Sequence, residues 1–130
     1  MPTPPPTADA ALDEAVALLR AAGARFVFLH GSRAKGTERA RSDVDVAALF
    51  DDEVDEAELR SRLPAGVDFL VLDRAPLELA GRVALHGRLL AEDDAARRVE
   101  WQAMMRKIFL DERFRVDRAR ADFAEAQRDG

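Results

Sequence analysis

The sequence has no cysteine, no tyrosine and no long apolar run, and each absence excludes a class of structure or chemistry. Without cysteine there are neither disulfides nor thiolate metal sites, so a reducing cytoplasm is the expected compartment. No apolar stretch approaches the roughly 20 residues that a membrane span requires, and we expect no membrane association. Without tyrosine, a tyrosine hydroxyl cannot be modified within this chain.

Positive charge is also in deficit. Lysine and arginine number 20 against 25 acidic residues, which gives a net charge of -5 and argues against general binding of nucleic acid. A length of 130 residues suits a single domain, which we expect over residues 9–130. The proline-rich residues 1–8 lack the basic and apolar regions of a secretory signal, so we expect them to form a flexible tail.

Hydrophobic periodicity predicts an alternation of helices and short strands. The pattern is typical of an α/β (α+β) fold, in which a small mixed or antiparallel sheet is flanked by helices. In chain order, we predict a helix over 9–23, strands over 25–30 and 44–50, a helix within 51–66, a strand over 67–73, a helix over 75–87, a small strand over 88–91 and one long helix or a helix pair over 94–128.

Two aspartates one residue apart stand at the start of the second predicted strand. Side chains alternate between the faces of a strand, so Asp43 and Asp45 share one face while Val44 and Val46 share the other. Two carboxylates held so close repel each other unless a cation lies between them. Oxygen ligands of this kind suit Mg²⁺, which takes its remaining ligands from waters and substrate phosphates.

A Gly-Ser turn precedes this acidic pair by ten residues. Gly31 and Ser32 would open a helix, whose free backbone N–H groups and hydroxyl form an anion site suited to a polyphosphate. Glycine lets a phosphate approach the backbone closely. Arg33 and three further basic residues surround the turn. Metal ligands on one side and a phosphate cradle on the other predict a nucleoside triphosphate site.

A third acid, Asp68, opens the third predicted strand and could lie beside Asp43 and Asp45 in the sheet. Three carboxylates are sufficient to hold two metal ions roughly 4 Å apart, which activate an attacking oxygen and stabilise the leaving one. In this hypothesis Asp43 and Asp45 hold both ions. Asp68 binds only the ion next to the acceptor and helps to take the acceptor's proton.

At these residues the chain resembles a known family. Gly31-Ser32, ten residues and then Asp43-Val44-Asp45 match the signature of the DNA polymerase β-like nucleotidyltransferases. The resemblance is greatest to the minimal nucleotidyltransferases (MNT), the MntA-like antitoxins that pair with HEPN-domain toxins. The segments "GSRAKG", "SDVDVAALF", "VDFLVLDRAP" and "GRLLAEDD" match that group in order, so the resemblance implies the nucleotidyltransferase, or polymerase palm-like, fold over about residues 10–125.

The resemblance also implies an activity. It is Mg²⁺-dependent transfer of AMP from ATP to a tyrosine hydroxyl of the partner HEPN ribonuclease, which silences the toxin in a type VII-like toxin–antitoxin pair. By position, Gly31, Ser32 and Arg33 would contact the triphosphate, and Asp43, Asp45 and Asp68 would bind the metal. His30 stands where such proteins more often have an aromatic or aliphatic residue, and the resemblance assigns it no role.

Two alternatives remain open. The chain could transfer nucleotides to a small molecule or an RNA end, or it could neutralise its partner by masking without catalysis. Only the segment after Asp94 is left to build an acceptor pocket, so a partner is expected to supply the acceptor. The mixed charge of that segment fits either a solvated helix face or a docking surface.

Overall fold

The structure, a computed structural model, describes residues 8–31 and 44–129, which form four strands, four helices and one short 3-10 turn. The predicted tail lies outside these ranges except for Ala8, and so does the chain from Ser32 to Asp43. The elements are α1 (Ala8–Ala21), β1 (Phe26–His30), β2 (Val44–Leu49), α2 (Glu56–Arg62), β3 (Val67–Val71), the 3-10 turn (Leu72–Arg74), α3 (Leu77–His86), β4 (Arg88–Glu92) and α4 (Ala95–Asp129).

The strands form one mixed sheet in the order β3-β2-β1-β4. β1 pairs antiparallel with both β2 and β4, whereas β2 pairs parallel with β3 at the sheet edge. The predicted fold class is therefore confirmed. The parallel pair requires a crossover, which α2 supplies between β2 and β3.

Each face of the sheet buries a separate apolar cluster. Successive side chains of a strand point to opposite faces, so β1, β2 and β3 contribute apolar residues to both clusters. Helices α1 and α2 cover one face through Leu19 and Leu59. Helices α3 and α4 cover the other face through Val83 and Trp101. Val44, Val46 and Ala48 pack toward α1 and α2, while Ala47 and Leu49 pack toward α3 and α4.

The third strand ends two residues earlier than predicted. The expected strand ran to Asp73, but the chain turns into the 3-10 turn after Val71. The carboxylate of Asp73 accepts hydrogen bonds from the backbone N–H groups of Phe50 (3.0 Å) and Asp51 (2.7 Å). Asp73 is therefore engaged as a cap on the end of β2, a role that strand periodicity does not reveal.

The C-terminal segment forms one helix of 35 residues, which decides between the two predicted possibilities. Asp94 caps its start by accepting a hydrogen bond from the backbone N–H of Arg97. From Leu110 to Arg128 every side chain except that of Val116 is exposed, so the second half of α4 has few contacts with the rest of the fold. Within the described part of the chain, no helix combines the length and apolar character needed to cross a membrane.

Candidate active site

Three polar side chains form a row across three neighbouring strands. His30 at the end of β1 pairs in register with Asp45 of β2, and Asp45 pairs in register with Asp68 of β3. The residues two further along β2 and β3, Ala47 and Leu70, belong to the apolar cluster under α3 and α4. The row therefore lies on that same face, at the end of the sheet, where register partners have side chains about 5 Å apart. The predicted adjacency of Asp45 and Asp68 is confirmed.

Gly31 follows His30 directly and borders the Asp45 carboxylate. Its φ of +81° lies in the left-handed region that favours glycine. A Cβ atom at this position would lie 2.7 Å from Asp45 Oδ2, closer than nonbonded atoms normally approach. Both the backbone conformation and the position of the Asp45 carboxylate therefore favour glycine here.

Asp68 is the most accessible member of the row, with 64% of its side chain exposed. Its Oδ1 accepts hydrogen bonds from the backbone N–H of Phe69 (3.0 Å) and from Nη1 of Arg60 (3.2 Å). Arg60 is on α2, which packs on the opposite face of the sheet from the row. Its side chain therefore reaches around the open edge of β3.

His30 is half-buried at the end of β1, beside Asp45. Burial lowers the pKa of its imidazole below the usual value, and attraction by Asp45 and Asp68 opposes this effect only in part. A neutral imidazole is therefore favoured near pH 7 in the metal-free protein. This residue, to which the family resemblance gave no role, belongs to the same row as the two acids.

The remaining predicted site residues, Asp43, Ser32 and Arg33, lie outside the described residues. Among the residues that are described, no three or more His, Asp or Glu side chains form a ready metal site. The chemistry of Asp45 and Asp68 nevertheless fits a hard divalent cation, because carboxylate oxygens are its preferred ligands. Because Gly31 has no side chain, Asp45 Oδ2 can lie close to the backbone at the end of β1.

Arg60 is the site residue that sequence reasoning missed. It stands four residues after Glu56 and pairs with it, an ordinary spacing for a solvated helix face. The helical pattern alone did not indicate that the same guanidinium would reach Asp68. The contact could have been anticipated only by combining two observations: an arginine on the crossover helix and an acid on the edge strand that this helix precedes.

The family model of the polymerase beta nucleotidyltransferases matches residues 17–96, which span β1, β2 and β3 and hence the whole row. The chain belongs to this family. No curated protein matches the chain.

Solved structures extend the similarity to most of the chain. A chain of a toxin–antitoxin complex with AMP-PNP is 26% identical, with a TM-score of 0.59 over 82% of this chain and 96% of that one. A chain of a toxin–antitoxin complex MntA-HepT is 23% identical, with a TM-score of 0.55 over 84% of this chain and 96% of that one. A chain of the complex between the tri-AMPylated Shewanella oneidensis HEPN toxin and its MNT antitoxin is 22% identical, with a TM-score of 0.57 over 87% of this chain and 98% of that one. The predicted resemblance to the minimal nucleotidyltransferases is confirmed.

Proposed function

We propose that this protein is an antitoxin that transfers AMP from ATP to a tyrosine hydroxyl of a HEPN-family toxin, in the cytoplasm and with Mg²⁺. The observation that carries the proposal is the register pairing of Asp45 with Asp68 beside Gly31, in a chain of the nucleotidyltransferase family. Similar solved structures support the finer points, since one contains AMP-PNP and another an AMPylated HEPN toxin.

The transfer exchanges a phosphoanhydride bond for a phosphoester bond. The acceptor oxygen bonds to the α-phosphorus of ATP, the bond between that phosphorus and the bridging oxygen breaks, and pyrophosphate leaves. The acceptor's proton goes to a carboxylate, a role that the exposure of Asp68 favours because this side chain is open to an incoming protein.

The chain's own residues bind and orient the reactants. Gly31 lets the Asp45 carboxylate lie close to the backbone, and Gly31, Ser32 and Arg33 would contact the triphosphate. Asp43, Asp45 and Asp68 would hold two Mg²⁺ ions. When bound, these ions would neutralise the phosphate charge and lower the pKa of the attacking hydroxyl.

The acceptor must come from another molecule. The chain contains no tyrosine, and in the part of the chain that the structure describes, Asp68 stands exposed on the edge strand β3. An exposed acid at a sheet edge is accessible to a protein loop, and a folded partner can present its tyrosine there. This accessibility favours a protein acceptor over a small molecule, which is usually held in a concave pocket.

The proposal is tested by following the α-phosphate. The protein is incubated with α-³²P-labelled ATP, Mg²⁺ and a purified HEPN partner, and the labelled product is separated by size and by nuclease treatment. We expect nuclease-resistant label on the partner and one pyrophosphate released for each AMP transferred.

Two isosteric variants provide the control. Asp45→Asn removes a carboxylate from the row and should lower the transfer rate by at least about 100-fold, as loss of a metal ligand or its support does. Asp52→Asn removes an exposed carboxylate beyond the other end of β2 and should transfer like the unsubstituted protein. Label on a small molecule or RNA, or equal loss in both variants, would contradict the proposal.

A further inference from the structure

We propose that Arg60 is a positioning residue, which holds the Asp68 carboxylate through one oxygen so that the other oxygen is presented to a divalent cation. The inference rests on the proposed function, in which Asp68 is a metal ligand. Its basis is a set of contacts at the edge of β3 made by Arg60, a residue outside the segments that carry the family resemblance.

The guanidinium of Arg60 is fixed by groups other than Asp68. Nη2 donates to Glu56 Oε1 (3.2 Å) and to the backbone carbonyl of Phe69. The guanidinium carbon also lies 5.7 Å from the centre of the Phe69 ring, within the range of a cation–π contact. Because Phe69 is buried, these contacts tie Arg60 to the core of the domain.

The helix that carries Arg60 is itself anchored. Asp55 caps the start of α2 by accepting a hydrogen bond from the backbone N–H of Glu58 (3.1 Å), and Leu59 is buried against the sheet. The position of Arg60, the residue after Leu59, is therefore fixed relative to β3. Arg60 uses this position to reach the carbonyl and the carboxylate of two successive residues in the edge strand.

Asp68 depends on these contacts for its orientation. Both hydrogen bonds end on Oδ1, one from Phe69 N–H and one from Arg60 Nη1. An acid with 64% of its side chain exposed would otherwise sample several rotamers in water. The two donors hold Oδ1, so a cation would bind through Oδ2. The positive charge of Arg60 also reduces the repulsion between Asp68 and its register partner Asp45.

Arginine suits this position better than lysine. Its planar fork presents separate N–H groups to the Asp68 carboxylate and the Phe69 carbonyl at once, whereas a lysine ammonium is a single point charge on a flexible stem. Hydrogen bonds from outer residues commonly orient the ligands of a metal site, and their removal lowers metal affinity about 10- to 100-fold.

The experiment measures Mn²⁺ affinity without nucleotide or partner, from the electron paramagnetic resonance signal of the free ion. Arg60→Met keeps an apolar stem against Phe69 but removes every hydrogen bond, and we expect Mn²⁺ to bind about 10-fold more weakly. Arg62→Met removes the same charge from the same helix and should bind Mn²⁺ normally, because the ion pair that Arg62 forms with a described residue is with Glu58, at 3.8 Å, and not with Asp68. Thermal melting verifies that both variants are folded.

A further pair of variants tests the route through Asp68. In an Asp68→Asn background, adding Arg60→Met should leave Mn²⁺ affinity unchanged, because the side chain that Arg60 positions is already altered. Unchanged or tighter binding in Arg60→Met alone would overturn the inference, since Arg60 would then be neutral or compete with the cation. Absence of Mn²⁺ binding to the unsubstituted protein would overturn it as well. Because the measurement needs no acceptor, a failure of AMP transfer with Arg60-dependent Mn²⁺ binding would instead refute the proposed function.

Discussion

In the candidate site, Gly31 borders the Asp45 carboxylate. The glycine combines a positive φ of +81° with a position where a Cβ would lie 2.7 Å from Asp45 Oδ2. Gly23 shares the first property, with a φ of +101°, but a Cβ at that residue would have no atom within 4 Å. The two residues therefore separate the cost of backbone strain from the cost of displacing a carboxylate.

We predict that Gly31→Ala lowers the free energy of unfolding by about 1–2 kcal/mol through backbone strain and also abolishes most AMP transfer. Gly23→Ala should lose a similar amount of stability but retain the transfer rate, because no site residue borders it. Urea unfolding and the labelled-ATP assay measure the two effects. Equal transfer rates in the two variants would show that the space beside Asp45 is not needed.

At the scale of elements, helices α3 and α4 pack most tightly where Gly81 of α3 meets Phe109 of α4. A Cβ at Gly81 of α3 would lie only 2.3–2.6 Å from Phe109 atoms, including Cβ of that residue. Nearby, the carbonyl of Ala84 in the last turn of α3 accepts hydrogen bonds from Gln102 (3.0 Å) and Arg106 (2.7 Å). These α4 side chains satisfy a carbonyl that a helix end would otherwise leave unpaired.

We predict that Gly81→Ala destabilises the protein by about 1–2 kcal/mol, although alanine has the higher helix propensity by about 1 kcal/mol. The overlap with Phe109 involves the base of that side chain, so α3 and α4 must move apart, and overpacking of this kind costs about 1–3 kcal/mol. Urea unfolding provides the measurement. In a Phe109→Ala background, which removes two of the three overlapping atoms, Gly81→Ala should cost less stability than in the unsubstituted protein. A Gly81→Ala variant more stable than the unsubstituted protein would refute the packing argument.

A charged pair fastens the end of β2 to the first turn of α4. Both oxygens of Asp51 accept hydrogen bonds from Arg97, at 2.7 Å and 2.9 Å, and both side chains are about one-third exposed. The hydrogen bond from Arg97 holds the pKa of Asp51 below its usual value. A lowered pKa in the folded state means that this carboxylate stabilises the fold above its unfolded pKa of about 3.9.

This contribution should be lost as the pH falls through the lower, folded pKa. We predict that Asp51→Asn costs about 1 kcal/mol near pH 7 and that its difference from the unsubstituted protein shrinks below about pH 4. Asparagine tolerates the φ of +67° at this position, so backbone strain does not add to the effect. Urea unfolding at several pH values measures this difference in the free energy of unfolding, and Asp52→Asn, at an exposed neighbouring position, serves as the control. A difference independent of pH would contradict the ionic explanation.

The sequence was informative where periodicity and motif coincide. Buried apolar runs placed the strands, and the position of Asp68 at the start of the third strand indicated that it could lie beside Asp43 and Asp45. The structure pairs Asp68 with Asp45. Contacts between distant residues were not predictable in this way. Asp73 as a cap of β2 and Arg60 as a partner of Asp68 depend on tertiary packing, because the local pattern of each is that of an ordinary charged surface residue.

At the scale of the whole molecule, the second half of α4 is polar and exposed. Phe114 and Phe123 are about two-thirds exposed on its second half, among alternating acids and arginines. The long helix thus adds little to the domain core beyond Phe109. In the proposed function, the tyrosine acceptor comes from another protein, because this chain contains no tyrosine. The proposal therefore makes the protein one half of a reaction that its partner completes.

The intact mass of the HEPN partner tests this account most directly. The partner is weighed after incubation with the protein, ATP and Mg²⁺, beside parallel samples containing Asp45→Asn or Asp52→Asn, and its ribonuclease activity is measured in each. The account predicts mass gains in whole AMP units and loss of ribonuclease activity with the unsubstituted protein and Asp52→Asn, and neither change with Asp45→Asn. An unchanged mass with the toxin still neutralised by all three proteins would contradict the account and establish masking by binding alone.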